Sequence, residues 1–115
     1  MKVLFDHVSN ECSRLITVSY STSFSLATKM LDIAIRKDIY NIYGFVRFAD
    51  EIVDSFHSYD KEELLSRFES DLYHALEHKI SLNPILNSFQ ETFHLHKLEL
   101  EPVSYTHLTL PTTPY

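Results

Sequence analysis

The run Ile35-Arg36-Lys37-Asp38-Ile39-Tyr40-Asn41-Ile42-Tyr43-Gly44-Phe45-Val46-Arg47-Phe48-Ala49-Asp50-Glu51-Ile52-Val53-Asp54-Ser55-Phe56 settles the architecture. Its apolar residues Ile39, Ile42, Val46, Ala49 and Val53 step by three and four, which is one face of an α-helix. One residue later Tyr43, Arg47, Asp50 and Asp54 repeat those steps, so they form a second stripe about 100° round the same helix. The spacing predicts a core face with a polar face beside it.

The flanking sequence is helical in the same way. Gly44 is the single glycine, and Pro84 is the only proline before position 102, so turns are few and an all-α fold is expected. Phe5, Val8, Cys12, Leu15 and Ile16 fall at helical spacing and predict an amphipathic helix over residues 3–16. The hydroxyl-rich run Thr17 to Thr22 is expected to break it, because such side chains compete for backbone hydrogen bonds. A short helix over 23–30 follows. Asp60 and Glu63 have the spacing of a capping box and open a helix to about Lys79, with Leu64, Leu65, Phe68, Leu72, Ala75 and Leu76 inward. Asn83-Pro84 reads as a cap followed by proline in the first turn, before Ile85, Leu86, Phe89 and Phe93.

Composition narrows the function. The chain of 115 residues is one domain or part of one, and 44% hydrophobic content suffices for a core. A net charge of −6, with no run of Lys and Arg, argues against nucleic acid as a partner. The single cysteine, Cys12, excludes an internal disulfide and suits a reducing, cytoplasmic compartment; it is expected to be a small buried side chain. No run approaches the ~20 apolar residues of a membrane span, and only three apolar residues precede Asp6 after Lys2, too few for a signal-peptide core. Peripheral contact with the inner membrane stays open, since a lipid substrate need only be reached from its surface.

From Pro102 the character changes. Residues 102–115 carry no charge and hold three of the four prolines. They resemble the conceptual translation of a transposase-type sequencing-library adapter: GTC TCT TAT ACA CAT CTG ACG CTG CCG ACG encodes Val103 through Thr112 without a mismatch. Residues 1–101 are therefore expected to be the native part, an N-terminal fragment, and 102–115 adapter read-through. Synonymous codons departing from those bases at several positions would restore the tail to the gene.

The polar stripe carries the chemistry. Carboxylates at i and i+4 share a helix face and reach one cation or cation pair. Magnesium prefers such oxygens and takes one or two carboxylates together with substrate phosphates. Arg47, one turn before Asp50, offers a planar guanidinium that grips diphosphate bidentately, and Tyr43 offers a phenolic hydroxyl. The bare Asp-x-x-x-Asp pattern equally fits a solvated face in which Arg47 pairs with Asp50. Glu51, about 100° from Asp50, is expected to face solvent or to support the site from behind.

The longer string resembles the phytoene/squalene synthase family. Tyr20-Ser21-Thr22-Ser23-Phe24, Leu31, Arg36, Ile42-Tyr43, Val46-Arg47 and Asp50-x-x-x-Asp54 stand at that family's spacings. The likeness is closest over residues 20–56 and extends over 1–101. Two positions depart from it. Leu31-Asp32 stands where bacterial members often have Leu-Pro, which is expected to loosen a loop, and Gly44 replaces a frequent alanine, pointing to close packing or substrate approach.

The resemblance implies the N-terminal part of an isoprenoid-synthase-type helical bundle. In that family two prenyl diphosphates condense head to head through a cyclopropyl intermediate. By the same resemblance Asp50 and Asp54 would bind Mg2+, or Mn2+, and Arg47, Tyr43, Ser21 and Ser23 would contact diphosphate, with Tyr20 and Thr22 nearby. Phe24 and Phe45 would line a prenyl tunnel, and Arg36 would be structural. Capping of the following helix is the competing role for Ser21 and Ser23. The run Tyr43 to Phe56 looks most like bacterial phytoene synthases, which implies geranylgeranyl diphosphate as substrate and no nicotinamide cofactor. Squalene or dehydrosqualene synthesis stays open. The family uses two aspartate-rich helices; Glu62-Glu63, Glu69 with Asp71, and Glu99 with Glu101 do not repeat the motif, so the fragment alone is expected to be inactive.

Other patterns are weaker. His74 and His78 stand at i and i+4 but have no intervening HExxH glutamate and no evident third ligand. His94 and His96 point to different sides of a helix. A non-catalytic helical module, with the Tyr43 to Asp54 stripe as a docking face, is the alternative from another class.

Overall fold

The computed structural model describes residues 1–99, so the expectations for Glu101 and for 102–115 lie outside the described residues. Five helices follow in order: α1 Lys2–Tyr20, α2 Thr22–Thr28, α3 Ile33–Ser55, α4 Lys61–His78 and α5 Pro84–Leu95. No strand occurs among the described residues, and the fold is all-α as the periodicity predicts.

The helix starts follow from local chemistry. Asp60 accepts a hydrogen bond from the Glu63 amide (3.1 Å), and Asn83 accepts from the amides of Ile85 (2.9 Å) and Leu86 (3.3 Å), with Pro84 in the first turn. α4 ends where Lys79 turns left-handed, at φ 60°. Asp32 caps α3 by accepting from the Ala34 amide (2.9 Å). Arg36 donates to the Leu31 and Lys29 carbonyls (3.0 and 2.7 Å). The loop expected to be loosened at Asp32 is instead fastened at both ends, because aspartate supplies the cap that proline cannot.

α1 departs from expectation twice. It runs on to Tyr20 rather than stopping near Ile16, and Thr17, the first hydroxyl of the run, bonds back within the helix to the Ser13 carbonyl (2.9 Å) as Ser9 does to that of Phe5 (2.8 Å). The break shrinks to Ser21, whose backbone is extended. The buried stripe is also rotated. Ser9, Ser13 and Thr17 are fully enclosed, Cys12 and Ile16 are half-buried beside them, and Val8 and Leu15 are exposed.

Small residues win there because the helices approach closely. A Cβ on Gly44 of α3 would lie 3.0 Å from Ser13 Cβ and 3.1 Å from Ser13 Cα. Ser13 and Ser88 of α5 share a buried hydrogen bond of 2.6 Å. Asn87 donates to Ser9 (3.1 Å) and Asp6 (2.9 Å), and Asn41 donates to Asn10 and Thr92 (3.0 Å each). Thr92 then donates to Asp38 (2.8 Å), whose other oxygen meets His96 Nε2 at 2.7 Å. Gly44→Ala is therefore a contest. Helix propensity favours alanine by up to ~1 kcal/mol, whereas forcing backbone-adjacent atoms apart costs about 1–3 kcal/mol. The expected outcome in urea denaturation is net destabilisation, with Gly44→Val worse.

The apolar core lies on the other side of α3. Phe45, Ala49 and Ile52 pack with Leu65, Phe68, Leu72 and Ala75 of α4 and with Ile85, Leu86 and Phe89 of α5. The α3 core face is thus turned from the expected one: Ile42, Val46 and Val53 are only half-buried at its margin, and Phe45 and Ile52 are at its centre. Packing on three helices at once, rather than on a single neighbour, widens the buried arc beyond one apolar stripe.

Candidate active site

The end of α1 and the first turn of α2 meet the middle of α3. Tyr20 is the last residue of α1, and the Arg47 guanidinium lies over its ring, 4.9 Å from the centroid. Phe24 of α2 stacks on Tyr43 with centroids 4.7 Å apart. Four of the residues singled out from sequence, Tyr20, Phe24, Tyr43 and Arg47, are thereby brought together. Ser21 caps α2 by accepting from the Phe24 amide (3.1 Å), and its own hydroxyl proton stays available to donate. Thr22 and Ser23 are exposed in the first turn of α2.

Phe45 does not join this group. It is 5% exposed and stacked between Phe89 (4.0 Å) and Phe68 (5.7 Å), in the apolar core and away from Tyr43 and Arg47.

Arg47 turns toward Glu51, not toward Asp50. Its Nη2 donates to Glu51 Oε1 at 2.7 Å, and both side chains are about one-quarter exposed. Of the two positions expected for Glu51, the structure has it paired with Arg47 and not free in solvent. The hydrogen bond from Arg47 is the main reason its carboxyl is held below the usual range, with Ser55 and the Tyr20 hydroxyl assisting against partial burial. Burial and the facing Glu51 carboxylate in turn push the Tyr20 phenol up. The signal for this pair was present in the sequence as an i, i+4 spacing of opposite charges. Arg47 Nε is buried with no hydrogen-bond partner. Beside the pair opens a cavity of about 230 Å3 lined by Ile16, Tyr20, Arg47, Phe48, Glu51 and Phe56.

Asp50 is half-buried and Asp54 exposed at the next turn of α3. Burial raises the Asp50 carboxyl above its ordinary value, the Arg47 charge opposes that, and the Asp54 carboxylate adds to it. Two acids that repel each other at one helix face, with an arginine in Coulombic reach, fit a hard divalent cation. Among the described residues no set of three or more His, Cys, Asp or Glu converges on one point. The protein's share of a ligand set here is two carboxylates, and the remainder would be water or substrate oxygen. The His74 and His78 rings lie 4.2 Å apart on α4 without a third ligand, and His94 bonds to Gln90 while His96 bonds to Asp38, so neither pair forms a site.

Residues 17–106 match the family model described as squalene/phytoene synthase, a match that spans the whole α1-end, α2 and α3 assembly and runs past Glu101. The chain belongs to that family. The family's reaction is head-to-head condensation of prenyl diphosphates, which places the chain among the transferases of isoprenoid biosynthesis. No curated protein and no solved structure matches the chain. Among the described residues no helix is long and apolar enough to cross a membrane.

Proposed function

We propose that the α3 stripe binds the diphosphate of a prenyl diphosphate for head-to-head condensation, with geranylgeranyl diphosphate as substrate and phytoene as product. The observation that carries the reading is the convergence of Tyr20, Phe24, Tyr43 and Arg47 beside the half-buried Asp50 and its neighbour Asp54. The C40 product rests on the likeness of Tyr43 to Phe56 to bacterial phytoene synthases.

In this reading Asp50 and Asp54 hold magnesium, which supplies Lewis-acid neutralisation of the diphosphate. Arg47 and Tyr43 donate to diphosphate oxygens as negative charge builds on the leaving group, which is stabilisation aimed at the transition state. Ser21 supplies a further hydroxyl donor. Ile16, Phe48 and Phe56, which line the cavity beside Arg47, offer apolar walls against which an allylic cation is shielded from water. The second carboxylate pair that this chemistry needs is assigned to the intact protein, with the enzyme in the cytoplasm and reaching its lipid substrate from a membrane surface.

Thermal denaturation tests the reading. Magnesium together with a non-hydrolysable prenyl diphosphate analogue is expected to raise the melting temperature, by the equivalent of about 2.7 kcal/mol at a hundredfold excess over Kd. Neither ligand alone gives the full shift, and Asp54→Ala loses it. An unchanged melting curve with both ligands present would sink the proposal.

A further inference from the structure

We propose that Glu51 is a positioning residue that parks Arg47 in the ligand-free protein and competes with the incoming diphosphate for its guanidinium. The inference rests on the diphosphate reading of the α3 stripe and adds to it a residue that touches neither metal nor substrate.

Three observations combine. Arg47 Nη2 is engaged by Glu51 at 2.7 Å, with the Tyr20 ring against the same guanidinium. Arg47 Nε is meanwhile buried without a partner. A guanidinium has five N–H donors, and a pose that satisfies one edge while orphaning another is held from one side only. Lastly, a cavity lined by Arg47, Glu51 and Tyr20 adjoins the pair, so the ion pair is not packed in on that side. Asp50, one residue before Glu51 on α3, lies within Coulombic reach of Arg47, and a metal-bound diphosphate held there would add negative charge beside the guanidinium. Once an anion carrying several charges sits there, it outbids a single carboxylate, and the rotation that engages it also frees Nε from its unpartnered position.

The test is calorimetric titration of the full chain with inorganic diphosphate in excess magnesium. Glu51→Gln keeps the shape and removes the charge, and is expected to tighten binding about fivefold, the equilibrium equivalent of one partly exposed ion pair. Glu51→Asp keeps the charge but falls short of Arg47 across the turn, and is expected to tighten binding in the same direction. In an Arg47→Met background the Glu51→Gln change is expected to have no effect, because the competition runs through the arginine. A merely structural Glu51 would weaken binding when replaced, and that result overturns the proposal. Equal tightening with and without Arg47 would reduce Glu51 to a distant charge and overturns it too. Wild-type protein that binds no diphosphate removes the site reading and this inference with it, whereas wild-type binding with unresponsive Glu51 variants removes the inference alone.

Discussion

Asp50→Asn is expected to raise the melting temperature of the ligand-free protein, abolish its response to magnesium with diphosphate, and lower turnover of the intact enzyme by about 10²–10³-fold or more. The opposite signs have one origin. Burial and the Asp54 carboxylate hold the Asp50 acid above its ordinary pKa of 3.8, with only Arg47 opposing them. An acid whose pKa is higher folded than unfolded costs nothing below the unfolded value, where both states are protonated. The cost appears as pH rises through the two values and is complete above the folded one. Asparagine has no such titration, so the stability advantage of the variant should be present at pH 7 and vanish below about 4. Melting curves at the two pH values, with turnover measured alongside, check both halves. A variant of wild-type rate would remove Asp50 from the reaction. A variant that melts lower at pH 7 would show the carboxylate to be structurally paired, contrary to the geometry.

What could be read from sequence was what is decided within one or two helical turns. The caps at Asp60 and Asn83-Pro84 and the helical character of Ile35 to Phe56 depend on neighbours a few residues away, and the structure has them as expected. The buried faces were less legible. Ser9, Ser13 and Thr17 rank as polar, so an apolar stripe through Val8 and Leu15 looked like the inner face of α1. Burial of the hydroxyls is decided by Gly44, 31 positions beyond Ser13, and by Ser88, 75 positions from it. Arg47 shows the same limit at the site. It has one carboxylate at i+3, Asp50, and one at i+4, Glu51, and spacing alone leaves both open. The Tyr20 ring, delivered by the helical continuation of α1 that sequence reasoning had ended too early, lies against the guanidinium where it meets Glu51.

Phe45→Ala should cost about 3–5 kcal/mol of folding stability, the usual range for emptying a buried phenylalanine site. Phe45 fills the junction of three helices, stacked 4.0 Å from Phe89 of α5 and 5.7 Å from Phe68 of α4, with Leu72 and Leu86 fully enclosed in the same cluster. Against a total of about 5–15 kcal/mol for a domain, that loss leaves little margin. In urea the midpoint should fall with the slope unchanged, since the surface exposed on unfolding is nearly the same. Phe24→Ala makes the informative contrast. Phe24 is 38% exposed and meets the fold mainly through the stacked Tyr43 ring, so its removal should cost only about 0.5–1.5 kcal/mol. Its effect should fall instead on affinity for a prenyl diphosphate analogue, by way of the Tyr43 ring it stacks on. If Phe45→Ala proved nearly neutral for folding but deleterious for prenyl binding, Phe45 would belong to the substrate tunnel after all. The reverse pattern, stability lost at Phe45 and binding lost at Phe24, follows from a core on the α4 and α5 side of α3 and a substrate surface on the α1 and α2 side.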